Sequence, residues 1–178
     1  FWKNMIPKWD KYICYGRDSK EGLIEMGVSS SDLFVAQNTV PIPMTDIELQ
    51  EIRMEGQKIA DDLHIGDVPL VVSLGSLVKK KKFDDVITAA VALMSDGTDF
   101  FLAIVGDGPE KNNLVNFASR CLTQAKLPPD RIKFIGRVPI GHDAFWLSIA
   151  DVSVMGGATG LALNVSMGNG TATLIADE

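Results

Sequence analysis

The chain has 178 residues but only two cysteines and two histidines, and each shortage removes a class of chemistry. Cys14 and Cys121 stand far apart and outside any C-x-x-C. Neither a disulfide framework nor a thiolate metal site is expected from them, and a reducing compartment is the default. His64 and His142 are too few and too distant for a zinc site or a Ser-His triad, and both read as surface residues. No Asp-x-Asp pair occurs, which removes the usual carboxylate clamp for a divalent metal beside a nucleotide diphosphate. No apolar stretch approaches the roughly 18 residues of a membrane helix. The opening "FWKNMIPKWD" has no signal-peptide core and no initiator Met, and so reads as the start of a fragment of a larger chain. Internal repeats and low-complexity tracts are also missing.

What is present is an ordinary globular composition, 46% hydrophobic and 22% charged, enough to bury a core in one domain or one and a fraction. The net charge is −6, which repels nucleic acid over most of the surface and argues against it as a partner. Against that background "SLGSLVKKKKFDD", Ser73 to Asp85, sets four consecutive lysines directly behind an apolar run. A lone basic cluster on an acidic chain suits a small anion better than a phosphate backbone, although a lysine run is more often a solvated face.

The chain alternates. Short, nearly continuous apolar runs at "PLVVSLGSL", "DFFLAIVGDG", "RIKFIGRV", "ADVSVMGG" and "TATLIA" end at glycine or polar residues, as strands buried on both faces do. Helix-period segments separate them: "FDDVITAAVALMSDG" with Val86, Ala90 and Leu93 on one stripe, "PEKNNLVNFASRCL" with Leu114, Phe117 and Cys121, then "HDAFWLSIA" and "GLALNVSMGNG". Strand alternating with helix predicts crossover units and a parallel sheet. From Val68 onward the expected class is α/β, a Rossmann-like doubly wound parallel sheet. Upstream, "KYICYG" and "DLFVAQNTV" read as strands flanking the helix "SKEGLIEMG", with Ser19 as its cap and a turn at Gly27. "PIPMTDIE" reads as a linker, and Thr45 and Glu48 form a capping box that opens a helix running to about Leu63. The expected division is 1–44 as the end of a first Rossmann-like domain, 45–66 as a linker helix and 67–178 as a second Rossmann-like domain.

In such a sheet ligands bind outside the carboxyl ends of the strands, where helix N-termini present backbone N–H groups. Four ends are legible: Gly75-Ser76-Leu77 with Lys79 to Lys82, "VGDGPE" from Val105, Gly136 to Val138, and "GGATGL" from Gly156, which opens the helix carrying Asn164. Glycine lets backbone approach a phosphate, and lysine adds the charge that a diphosphate attracts. "GDGPE" alone is weak, because Gly-Pro is common punctuation before a helix. It is neither G-x-G-x-x-G nor a Walker A loop, which disfavours a nicotinamide site. Asp84 and Asp85 read as the beginning or cap of the helix after the lysines.

Taken in order, "VVSLGSLVKKKKFDDVITAAVALM", "FLAIVGDGPE", "RIKFIGRVP" and "IADVSVMGGATGLALNVSMGNGTATLIADE" resemble the C-terminal nucleotide-sugar-binding domain of retaining glycosyltransferases of the GT-B fold, family four (group 1). "YICYGRDSKEGLIEMGVSSSDLFVAQNTV" resembles the end of that family's N-terminal domain, leading to an Asn-containing turn. The resemblance implies a hexosyltransferase-type enzyme that binds a nucleotide-diphosphate sugar and transfers the sugar with retention, without a metal or other cofactor, to an unidentified acceptor. It implies a cytoplasmic setting in polysaccharide biosynthesis, with room for peripheral membrane contact of the intact enzyme. The piece itself is expected to be incomplete at its C-terminus and inactive alone.

The family's glycine-arginine pair and its following lysine grip the diphosphate; the resemblance places Gly75, Ser76 and Lys81 there. Gly106 belongs to the "VGDGPE" loop of the same binding set, and Arg137 and Val138 correspond to the groups that face the base. Gly157, Thr159, Gly160 and Leu161 would direct N–H groups at the phosphate and sugar. Catalytic residues are not identified. Three positions depart from the pattern: Ser76 replaces arginine, and Gly157 and Val165 replace a pair of glutamates. Val165 offers a ribose hydroxyl no hydrogen bond. These departures support an alternative, a non-catalytic nucleotide-binding or scaffolding relative. An epimerase or receiver-like domain would need a Tyr-x-x-x-Lys or an acidic cluster that the sequence lacks.

Overall fold

The structure is a computed structural model, which describes residues 9–37, 40, 45–65 and 67–176. The proline linker reading of residues 41–44 and the turn at Asn38 lie outside the described residues. The chain divides into two compact units, Phe1–Val40 and Pro41–Glu178.

In the first unit, β1 (Tyr12–Cys14) and β2 (Leu33–Val35) pair in parallel around α1 (Arg17–Glu25). Ser19 does not cap this helix. Gly16, in extended conformation, takes the cap position, its carbonyl accepts from Lys20 N–H at 3.2 Å, and Ser19 becomes the third helical residue. The helix ends as expected at Gly27, where φ is +92° and Val28 N–H returns to Leu23 O.

The second unit begins with α2 (Asp46–Asp62), opened by a complete capping box. Thr45 Oγ1 accepts from Glu48 N–H at 3.2 Å, and Glu48 Oε2 accepts from Thr45 N–H at 3.0 Å. There follow β3 (Leu70–Leu74), α3 (Phe83–Ser95), β4 (Phe101–Val105), α4 (Lys111–Ala125), β5 (Ile132–Gly136), α5 (Asp143–Ser148), β6 (Val152–Met155), α6 (Leu161–Gly168) and β7 (Thr173–Ile175). The five strands β3 to β7 form one parallel sheet in the order β5-β4-β3-β6-β7. The chain therefore winds outward through β4 and β5, then returns past β3 to add β6 and β7 on the other side, which makes the fold doubly wound.

Alternation along the strands sends successive side chains to opposite faces. Leu102, Ile104 and Ile132 pack with Phe83, Val86, Ile87, Ala90 and Met94 of α3 and with Leu114, Ala118 and Leu122 of α4 into one continuous core. The α3 stripe differs from the expected one in its last member. Met94 is buried and Leu93 is exposed, because the turn from Ala90 carries i+4 rather than i+3 onto the sheet. On α4, Phe117 is partly buried and Cys121 flanks the stripe, while Ala118 and Leu122 hold its centre. Asp84 and Asp85 begin α3 in its first turn, where their charge suits the helix N-terminus, and cap nothing. On the opposite face of the sheet, Leu70, Val72 and Leu74 are buried, α5 meets β3, and α5 crosses α2. That crossing depends on Gly56, whose Cβ position lies 2.6 Å from Phe145 O and leaves no room for a side chain.

Candidate nucleotide site at the strand ends

The reversal of strand order falls between β3 and β6, so the loops that leave these two strands open a crevice at the carboxyl edge of the sheet. The lysine run lies on one side of it. Lys79–Lys81 form a single 3-10 turn, and Lys82, at φ +49°, turns the chain into α3. The other side is the glycine-rich stretch from Gly156 to Gly160 that leads into α6.

These two stretches are joined by backbone. Ala158 N–H donates to Lys80 O at 3.0 Å, and Lys81 Nζ donates to Thr159 O at 2.6 Å. A Cβ at Gly156 would fall 2.5 Å from Lys82 O, and one at Gly157 would fall 2.5 Å from Lys80 O. Only glycine allows this approach. Gly75, at φ +145°, and Gly160, at φ +60°, bracket the Lys81 ammonium, which lies 3.9 Å and 3.5 Å from their respective Cβ positions. Partial burial pushes the Lys81 amine below its ordinary 10.5, and the neighbouring Lys80 charge adds to this. Beyond Gly160, the Leu161 and Ala162 N–H groups of the first turn of α6 have no acceptor among the described residues.

The rim on the β4 side is stitched in the same way. Gly75 N–H donates to Val105 O and Leu77 N–H to Asp107 O, both at 3.0 Å, and Gly106 N–H donates to Gly136 O at 2.8 Å. Gly106 and Gly108 leave no space for side chains against the backbone of Gly75 and Leu77. Asp107 accepts from Gly108 N–H at 2.7 Å and from Lys111 Nζ at 3.1 Å. The Lys111 hydrogen bond, that of Gly108 N–H and the nearby Arg137 charge hold its carboxyl below the usual carboxylate range.

The structure thus brings Gly75, Lys81, Thr159 and Gly160 together, with the start of Leu161 beside them. Ser76 is exposed at the mouth of the β3 loop, and Arg137 and Val138 follow β5 two strands away. Gly157 packs against the lysine turn, and Val165 is buried at 8% exposure on α6. Sequence reasoning missed the Lys80 and Thr159 carbonyls, which no motif marks. It also missed the Asp107–Lys111 pair, which the i,i+4 spacing of opposite charges could have shown. His64 and His142 are exposed as expected, and both cysteines are free. Among the described residues no group of three metal-ligating side chains comes together, and no helix is long and apolar enough to cross a membrane. A groove of about 370 Å³ runs beside the lysine turn, between α3 and α4, lined in part by Lys79, Asp84, Phe117 and Arg120.

A parallel doubly wound sheet places its ligand sites at the carboxyl ends of the strands, and here the lysine turn and the glycine stretch lie at the switch point. Residues 56–177 match the sequence profile of the glycosyl transferases group 1, and the chain belongs to that family. A comparison with curated protein sequences gave no match. Among solved structures, the chain is similar to Anabaena Alr3699/HepE in complex with UDP and glucose, with 18% identity and a TM-score of 0.71, over 99% of this chain and 47% of that one. It is also similar to a glycosyltransferase from Rickettsia africae, with 15% identity and a TM-score of 0.69, over 97% and 47%. A third is WaaG, a glycosyltransferase involved in lipopolysaccharide biosynthesis, with 14% identity and a TM-score of 0.68, over 93% and 44%. The chain spans about half the length of these structures, and its fold is the Rossmann-like domain of GT-B glycosyltransferases.

Proposed function

We propose that the crevice binds a nucleotide-diphosphate sugar and that the protein transfers its hexosyl group, with retention and without a metal, to an acceptor in polysaccharide synthesis in the cytoplasm. The observation that carries this reading is the Lys81 ammonium, set in the crevice between Gly75 and Gly160 and held there by a neutral carbonyl. A diphosphate is a stronger acceptor than that carbonyl and takes over the same N–H donors. During transfer, negative charge grows on the departing diphosphate. Lys81 and the free N–H groups at the start of α6 are already oriented toward it, and such preorganised charge is a large part of catalysis. Arg137 and Val138, on the loop after β5, meet the base. UDP is the first nucleotide to try, since Anabaena Alr3699/HepE was solved with UDP.

Isothermal titration with UDP, GDP and ADP tests the reading. One nucleotide binds in the micromolar to millimolar range, and Lys81→Ala weakens it at least about tenfold, as expected for loss of a charge-assisted contact. A folded chain that binds none of the three overturns it. A second reading, a nucleotide-binding relative without transferase activity, draws on Gly157, where the packing against Lys80 O leaves no space for any side chain. Nucleotide binding without turnover of any donor sugar would favour that reading.

A further inference from the structure

The two stretches that face each other across the crevice carry charge of one sign. Gly75–Phe83 holds four lysines and no acid, and from Val152 to Ala176 there is no charged residue at all. None of the four ammonium groups is in an ion pair among the described residues. Their positions are set by the fold. Lys79 lines the outer groove with Asp84 and Arg120. Lys81 enters the crevice. Lys82 lays its stem along the glycine stretch, with Cγ 3.2 Å from the Cβ position of Gly157. Asp107, on the β4 rim, already serves Lys111 and Gly108 N–H, and Asp84 and Asp85, in the first turn of α3, form no ion pair with these lysines among the described residues.

A sugar diester of pyrophosphate brings one negative charge per phosphate, and Lys81 with the α6 N-terminus suffices to meet them. Lys79, Lys80 and Lys82 are then left unpaired, and of these Lys82 is the one whose side chain lies against the glycine stretch, which has no carboxylate to receive the hydroxyl protons of a neutral sugar. We infer that the transferred sugar carries a carboxylate, as in a nucleotide-linked uronate, and that Lys82 is the residue that selects it. The inference rests on the donor-site reading above and deepens it: Lys81 meets the diphosphate and Lys82 meets the sugar acid. An exposed charge-assisted pair of this kind gives discrimination of about twofold to fivefold.

The test titrates the chain with UDP, UDP-glucose and UDP-glucuronate, and repeats the series with Lys82→Met and Lys82→Arg, each checked for folding by circular dichroism. UDP-glucuronate is expected to bind about twofold to fivefold more tightly than UDP-glucose. The preference should vanish in Lys82→Met, persist in Lys82→Arg, and leave UDP affinity unchanged in both. Equal affinities for the two sugars, with UDP still bound through Lys81, overturn the sugar-acid assignment and leave the donor site standing. A preference that survives Lys82→Met overturns the role of Lys82. Lys82-dependent binding of inorganic phosphate to the UDP-saturated chain, without a uronate preference, assigns the anion to the acceptor and also overturns the inference. Failure of UDP itself to bind removes the donor site and the inference together.

Discussion

Gly157 has no side chain and yet decides how Lys81 is held, because the close approach of its Cα to Lys80 O brings Thr159 O within reach of the ammonium. Gly157→Ala therefore forces the glycine stretch off the lysine turn. It should cost about 1–3 kcal/mol in chemical denaturation and weaken UDP in the same titration. The Lys81 amine is held below 10.5 by desolvation and by Lys80, so the folded chain penalises its charge. As pH rises through the depressed pKa toward 10.5, that penalty is relieved and stability increases relative to a Lys81→Met variant. A bound diphosphate reverses the shift. Nucleotide binding should then take up a proton in this alkaline window, which calorimetry in two buffers of different ionisation enthalpy will register, and affinity should fall as pH climbs through it. Lysine and glycine were legible as residue types suited to an anion. Their partners were not, since a carbonyl acceptor has no letter in a sequence and Thr159 serves through its backbone.

Elements were legible where burial is continuous. All five strands of the second unit follow apolar runs; β3 and β4 do so because strands covered on both faces admit few polar residues, whereas β7, at the edge of the sheet, leaves Leu174 and Ile175 exposed. Helix faces were harder. Leu93 and Met94 are adjacent apolar residues at the end of α3, and which one is buried depends on how the helix lies on the sheet rather than on the sequence period. Ser19 shows the opposite failure: a good capping residue lost its place to Gly16, whose extended backbone starts the helix three residues earlier. Ile87, fully buried on the core-facing side of α3, is expected to cost about 3 kcal/mol as Ile87→Ala, read as a lowered midpoint in urea. Thr45→Ala removes half of the capping box of α2 and should cost about 1 kcal/mol in the same measurement.

At the scale of the whole molecule, alternation of strands and helices implied a doubly wound sheet, but the order β5-β4-β3-β6-β7 came only with the structure. The switch between β3 and β6 is what makes the lysine run and the glycine stretch neighbours, although Lys81 and Thr159 are 78 residues apart in sequence. Charge adds to this at long range: a chain of net −6 that concentrates lysine at one edge of its sheet draws anions to that edge and repels them elsewhere. Raising salt from low to near-molar concentration should weaken UDP binding about fivefold or more, whereas a surface without such asymmetry would show little change. The rim itself has a consequence in time. The amides of Gly75, Leu77 and Gly106 lie in loops, yet each is bonded to the backbone of a neighbouring loop or strand. They should exchange with deuterium as slowly as the strands they follow, and more slowly than the ends of α5 and α6. On the proposed function, a nucleotide would meet a rim already set by these bonds, and its capture should not wait for the loops after β3 and β4 to order.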